Sequence, residues 1–219
     1  MGQRANVQAD VPEAVGRRPR QERGQRRVDS ILDAAAEVVA EAGVGGTTMQ
    51  AVGRRARATV GSLYHFFPDR DALVRALAAR HVERLRVVMR PAADLAPEEW
   101  ARLTVEERVE RFVGPLLDYV GANADLLAVM AATAPGGPQA PGAEELQALV
   151  LRAAERVVTA CDPEVGRAER GARAALLLAA VQGTLLHAGL PSSPPQRSLL
   201  RELRRMLAAY LDAAPSRGG

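Results

Sequence analysis

Residues 43–77 read GVGGTTMQAVGRRARATVGSLYHFFPDRDALVRAL, a run in which helix starts and stops follow one another every few residues. Thr47 and Gln50 stand three apart in the capping-box arrangement and predict a helix over about 48–55. Ala56-Arg57-Ala58 is a three-residue break, and Thr59 is a second capping residue. The helix it opens runs only to His65 or Phe66, because Pro68 stops it. Asp69 caps a long fourth helix, with Leu73, Leu77, Val82, Leu85, Val88 and Met89 as its mainly apolar face, ending before Pro91. Upstream, Ile31, Leu32, Ala35, Val38, Val39 and Ala42 recur at helical spacing, and Gly43 sits where a C-terminal cap belongs. The first helix is therefore expected over 25–42.

Two short helices joined by a tight turn, with a third packed behind them, form a helix-turn-helix. A helix of about seven residues is roughly 10 Å long, which suits insertion into a major groove about 12 Å wide. Its first residues face base edges, and its unpaired N–H groups favour nearby phosphates. Arg26 and Arg27 before the first helix, Arg54, Arg55 and Arg57 around the turn, and Arg70 after the third helix supply positive charge.

Over about 25–75 the chain resembles the DNA-binding region of the TetR/AcrR family of bacterial regulators. The residues that carry the likeness are Thr47-Thr48, Ala56, Thr59, the run Gly61-Ser62-Leu63-Tyr64-His65-Phe66-Phe67, and Arg70. The resemblance implies a phosphate contact at Thr48. It implies that Thr59, Val60 and Ser62 face base edges or phosphates, with Tyr64 and His65 against the DNA backbone and Arg70 as a charged clamp. Leu63 and Phe67 read as the hydrophobic anchor, while Phe66 is open between core and contact. Two positions depart from the family pattern. Arg57 stands where most members have glycine, which implies either strain in a left-handed turn or a different turn geometry. Val60 replaces the usual polar or basic residue; it can touch a thymine methyl but donates no hydrogen bond.

The charge distribution agrees with a polyanionic partner for the first part of the chain. Residues 1–90 hold 16 Arg against 10 acids, whereas 91–219 hold 13 Arg against 16, and there is no Lys. Residues 1–24 are Arg-rich, interrupted by Pro12 and Pro19, and show no periodicity; they are expected to form an irregular arm. The single Cys161 excludes an intramolecular disulfide and a thiolate zinc cage. No window carries about 18 uninterrupted apolar residues, and the N-terminus lacks the apolar core of a secretory signal, so the expected address is cytoplasmic, with no membrane partner.

Beyond Pro91, helices divided by Pro and Gly are expected at 104–121, 123–133, 143–161, 166–189 and 195–213. Pro115 should kink or split the first of these, and 134–142 (APGGPQAPG) should be a loop. The fold class is all-α, with a helix-turn-helix DNA-binding domain at 25–85, an effector-binding and dimerisation domain at 86–213, and an irregular tail at 214–219. Residues 172–190 (ARAALLLAAVQGTLLHAGL) are apolar almost all round and should be buried on several sides. Residues 198–211 (SLLRELRRMLAAYL) are amphipathic, with Leu199, Leu203, Met206, Leu207, Tyr210 and Leu211 facing one way. The resemblance implies that the helices at 166–189 and 195–213 pair with their copies in a four-helix bundle. A homodimer presents two recognition helices to a palindromic operator, about 34–36 Å apart.

The resemblance also implies an effector pocket. Phe112, Leu116, Tyr119, Leu127, Met130, Gln182 and His187 are the candidates to line it. A mostly apolar wall with a few polar anchors favours a lipophilic or aromatic ligand. His187 has no second ligand at i±3 or i±4 and reads as a satisfied buried histidine, not a metal ligand. No cofactor is implied. The chain carries no phosphate loop after a strand, nucleophile elbow or paired metal histidines, so an enzyme is not expected. The leading expectation is a homodimeric repressor of transcription. The alternative is a helical small-molecule or partner-binding module that has lost specific DNA recognition.

Overall fold

The computed structural model describes residues 17–133, 140–189 and 195–213. These residues form ten helices and no strand, in agreement with the all-α reading. In order they are α1 Arg17–Gly46, α2 Met49–Arg55, α3 Val60–Phe66, α4 Arg70–Asp94, α5 Pro97–Arg102, α6 Val105–Ala122, α7 Leu126–Ala132, α8 Ala143–Cys161, α9 Arg167–Ala188 and α10 Gln196–Asp212. No single helix is long and apolar enough to cross a membrane.

Helix α1 begins earlier than expected, so residues 17–24 are helical and not part of an irregular arm. Pro19 lies in the first turn, where a backbone N–H has no intrahelical acceptor to lose. Glu22 accepts a hydrogen bond from Arg26 one turn on, at 3.3 Å. Residues 1–16 of the expected arm, 134–139 of the expected loop and 214–219 of the expected tail lie outside the described residues. Gly43 has φ 68°, which ends the regular part of α1 in a conformation that suits glycine.

The cap of α2 is Thr48, not Thr47. The Thr48 hydroxyl oxygen accepts from the Ala51 N–H at 3.1 Å. Thr47 is buried, and its hydroxyl donates to the Gly43 carbonyl at 2.8 Å. This register places Met49 and Val52 together in the core. Thr59 and Asp69 cap α3 and α4 as expected, accepting from Ser62 N–H at 3.2 Å and Ala72 N–H at 2.6 Å.

Two prolines did not interrupt their helices. α4 continues through Pro91 to Asp94, and α6 runs unbroken through Pro115. Pro91 and Val87 are both exposed, as is Arg111, one turn before the half-exposed Pro115. The carbonyls deprived of a partner therefore lie on outward sides, where water replaces the lost N–H.

Two cores share α4. Its first half packs Leu73, Leu77 and Ala78 with Ile31, Val39, Val52, Leu63 and Phe67 of the N-terminal unit. Its second half packs Leu85 and Met89 into a larger core built from α5, α6 and α8 to α10. At the junction Arg80 holds α1, donating to Asp33 Oδ1 at 2.6 Å and to the Leu32 carbonyl at 3.0 Å. Helix α5 was not expected; it is six residues long, opens with Pro97, and seats a fully buried Trp100.

The last two helices divide their apolar residues between two sides. On α9, Leu177, Leu178, Val181 and Leu185 are buried, while Leu176 and Leu186 are exposed, so the expected burial on several sides is incomplete in one chain. On α10, Leu203, Leu207 and Leu211 are buried, whereas Met206 and Tyr210 are exposed and do not share their face. A single chain covers only one flank of each helix.

Candidate nucleic-acid interface and ligand cavity

Helix α3 is oriented by Leu63, which is 0% exposed, and by Phe67 just beyond its end. Burying these two turns Gly61, Tyr64 and His65 outward, at i, i+3 and i+4. Tyr64 is 49% exposed. The His65 ring meets Phe66 edge-on, with centroids 5.1 Å apart. Phe66 is half-buried against the core, which resolves its open reading toward packing. Thr59 is exposed at the helix start, and Val60 and Ser62 are half-buried beside it. Gly61 is part of the motif but the sequence assigns it no role; a Cβ there would meet nothing within 4 Å, so its open face allows another surface close to the backbone.

The turn before α3 has the expected strain. Arg57 has φ 49°, the one positive value outside glycine among the described residues. Such a conformation costs roughly 1–2 kcal/mol for a residue with a Cβ. The turn is closed by Ala58 N–H donating to the Gly53 carbonyl at 2.9 Å. Thr48, Arg54 and Arg57 are exposed near it. Arg55 is not available as expected: it donates to Glu41 at 2.7 and 2.8 Å and to Glu37 at 2.6 Å. Those two carboxylates, Glu41 foremost, hold its guanidinium above its ordinary pKa. Arg55 thus ties α2 to α1. Arg70 donates to Asp71 at 3.1 and 3.2 Å, an exposed contact of the weak kind.

A second feature lies behind the helix-turn-helix. A cavity of about 300 Å³ opens between α4, α6, α7, α8 and α9. Leu116, Met130 and Gln182 line it as expected. The other four candidates do not. Phe112 is buried in the core, and Leu127 is half-buried, with its Cβ 3.3 Å from where a Cβ on Gly189 would stand. His187 is exposed, against the buried reading, because it falls on the outer side of α9. Tyr119 stands behind the wall, bonded to a lining residue that sequence reasoning missed.

That residue is His81, which is 2% exposed. Its Nε2 lies 2.7 Å from Asp125 Oδ2 and its Nδ1 2.8 Å from the Tyr119 hydroxyl. An ionised carboxylate only accepts, so Nε2 carries the hydrogen toward Asp125. Burial alone raises the Asp125 carboxyl, but the hydrogen bond and charge of His81, a backbone hydrogen bond and Arg80 together hold the group below its ordinary value. Burial pushes the Tyr119 phenol upward, against Arg84 and Arg80. The network joins α4, α6 and the residue that begins α7. Helix α7 itself bridges the two cores: Leu126 packs in the C-terminal one and Val129 in the N-terminal one. Both residues line the cavity.

Comparison with known proteins follows the same division. Residues 31–77 match the family model of bacterial regulatory proteins, tetR family, and residues 104–211 match the tetracyclin repressor-like C-terminal domain. No curated protein matches the chain. Among solved structures, a TetR-like transcriptional regulator from Rhodococcus sp. RHA1 is similar, with TM-score 0.59 and 21% identity over 94% of this chain and 100% of that one. A TetR transcriptional regulator from Legionella pneumophila has TM-score 0.60 and 16% identity over 83% of this chain and 95% of its own. The regulator FadR from Bacillus subtilis, solved in complex with stearoyl-CoA, has TM-score 0.56 and 14% identity over 85% of this chain and 98% of that chain. At these identities the likeness concerns the fold.

Proposed function

Because the chain belongs to the TetR family of bacterial regulatory proteins and so is a DNA-binding transcriptional regulator, we propose that it is a homodimeric cytoplasmic repressor, released from a palindromic operator by a small lipophilic effector. The observation that carries this reading is the outward presentation of Tyr64 and His65 on a threonine-capped helix anchored by Leu63. In the proposed complex Thr59, Val60 and Ser62 meet base edges or phosphates. Thr48, Arg57, Tyr64, His65 and Arg70 hold the sugar-phosphate backbone.

Dimerisation through α9 and α10 is supported by the exposed Leu176, Leu186, Met206 and Tyr210, large apolar side chains that one chain leaves in water. Effector control is supported by the cavity and its walls. A ligand pressing on α4 and α7 acts on helices that also pack in the DNA-binding core. Shifting α4 alters the separation of the two recognition helices. A coupling of about 1–3 kcal/mol changes operator affinity roughly 5- to 150-fold.

The reading is tested by substitution in α3 and at the first residue of α4. Tyr64→Ala and Arg70→Ala should each weaken binding to every duplex by roughly tenfold, and Arg70→Ala should lower the salt slope by about one. Val60 and Ser62 substitutions should instead change which sequence is preferred. Gel-shift competition at several salt concentrations measures both. Unchanged affinity in both Tyr64→Ala and Arg70→Ala would remove α3 and the start of α4 from the interface.

A further inference from the structure

The cavity wall restricts the chemistry of its ligand, and the restriction rests on this cavity being the effector site proposed above. At about 300 Å³ it lies at the small end of the ~300–1,000 Å³ range of ligand pockets. Leu85, Met89, Leu126, Val129, Leu178 and Val181 form much of the wall, and all are buried. Among the described residues, no Arg, Asp or Glu lines it. Residues 134–139, which connect the lining residues Thr133 and Ala140, read APGGPQ and contain no ionisable side chain.

The polar groups of the wall are largely committed. Among the described residues, His81 is the one titratable lining residue, and both ring nitrogens are engaged by Asp125 and Tyr119. The Thr133 hydroxyl donates to the Val129 carbonyl at 3.0 Å. Gln147 and Gln182 are solvent-exposed, which places them at the mouth. Arg86, on α4 near Gly142, is paired with Glu83 at 2.9 Å. A charge carried into this space loses its water and meets no unpaired opposite charge among the described lining residues, so its desolvation goes largely uncompensated.

We infer that the cavity takes a small, uncharged, mostly apolar molecule and rejects its ionised analogues, with any hydrogen-bonding group of the ligand held at the Gln147 and Gln182 mouth. Charge, more than outline, is what the site discriminates against. A long acyl chain on a phosphate-bearing carrier is the contrasting class.

Two dyes that share one aromatic frame test this directly. N-phenyl-1-naphthylamine is neutral, and 1-anilinonaphthalene-8-sulfonate adds a single anionic group. Fluorescence titration of the full-length protein should show saturable binding of the neutral dye and at least about tenfold weaker binding of the sulfonate. The comparison is made on the component of binding that cavity-filling substitutions remove. Val181→Phe crowds a buried wall, so Ala143→Phe, at the half-exposed start of α8, is the second variant; each should weaken the neutral dye at least about tenfold. Gln182→Arg, at the exposed mouth, should narrow the gap between the dyes. The inference is overturned if the sulfonate binds the cavity as tightly as the neutral dye, or if the neutral dye does not bind. Neutral-dye binding that both phenylalanine variants leave unchanged overturns it too, as does displacement of that dye by stearoyl-CoA. Operator affinity at saturating neutral dye separates this inference from the effector reading. A dye that binds as stated but leaves DNA affinity unchanged sinks the coupling and leaves the ligand class standing.

Discussion

His81→Leu should lower stability by about 3–5 kcal/mol at neutral pH, because it leaves the Asp125 carboxylate buried without its partner. The pH dependence identifies the cause. In the native protein Asp125 is held below its ordinary pKa. It therefore contributes stability that is present above the unfolded carboxylate value and is lost as pH falls through the depressed folded value. Removing His81 leaves burial opposed only by Asp125's own backbone hydrogen bond and by Arg80. The folded pKa then rises, so ionised Asp125 costs stability above the ordinary carboxylate range, and the cost disappears below it. Acidification should weaken the native protein while narrowing the gap to the variant. The double variant His81→Leu with Asp125→Leu, which removes both partners, should recover a large part of the loss. Urea unfolding from about pH 7 down to about pH 3, below the ordinary carboxylate value, measures both effects. A gap that does not change with pH would contradict an ionised Asp125.

Trp100→Ala should cost about 3–5 kcal/mol, the range for deleting a large buried aromatic side chain. Trp100 is fully buried and is the means by which the short α5 joins the C-terminal core beside α8. Its position is reinforced from α6, where Arg108 donates to the Trp100 carbonyl at 2.9 Å and to the Ala101 carbonyl at 3.0 Å. The indole N–H finds no hydrogen-bond partner among the described residues. Trp100→Phe therefore loses volume but removes an unsatisfied donor, and it should be clearly milder than alanine. Thermal and urea unfolding of the two variants should separate them. Equal losses would mean that the indole N–H is satisfied or that the ring does little packing.

The elements legible in the amino-acid sequence are those specified by local chemistry. Thr59, Pro68 and Asp69 each act on the next few backbone groups, so the limits of α3 could be read before the structure, whereas the outward placement of Tyr64 and His65 was what the family resemblance implied. Arg57 was legible only through the family resemblance, because it stands where most members have glycine. The prolines at 91 and 115 misled because the cost of a missing N–H depends on which side of the helix carries the abandoned carbonyl. That is a tertiary fact. Met206 and Tyr210 were grouped with Leu203 and Leu207 because periodicity records apolar character, not which neighbour covers it.

The cavity was the least legible part. His81 occupies one rung of an apolar ladder, Leu77-His81-Leu85, where it resembles a core substitution. Its partners Tyr119 and Asp125 lie 38 and 44 residues away, so no local pattern could join them. The ladder itself was the available signal: a histidine midway between buried leucines at i±4 must find a hydrogen-bond partner or a ligand. Phe112 packs in the C-terminal core and does not reach the cavity; periodicity marks it as apolar but does not record which neighbour it meets.

Hydroxyl-radical protection of the protein's own promoter DNA tests most directly whether α3 reads a duplex, twice per assembly. The account predicts two protected half-sites with centres one helical turn, about 10–10.5 base pairs, or a multiple of it apart. Both should persist in competition with random DNA and be lost together in Tyr64→Ala. Protection without a dyad, or a dyad that Tyr64→Ala leaves unchanged, would contradict it.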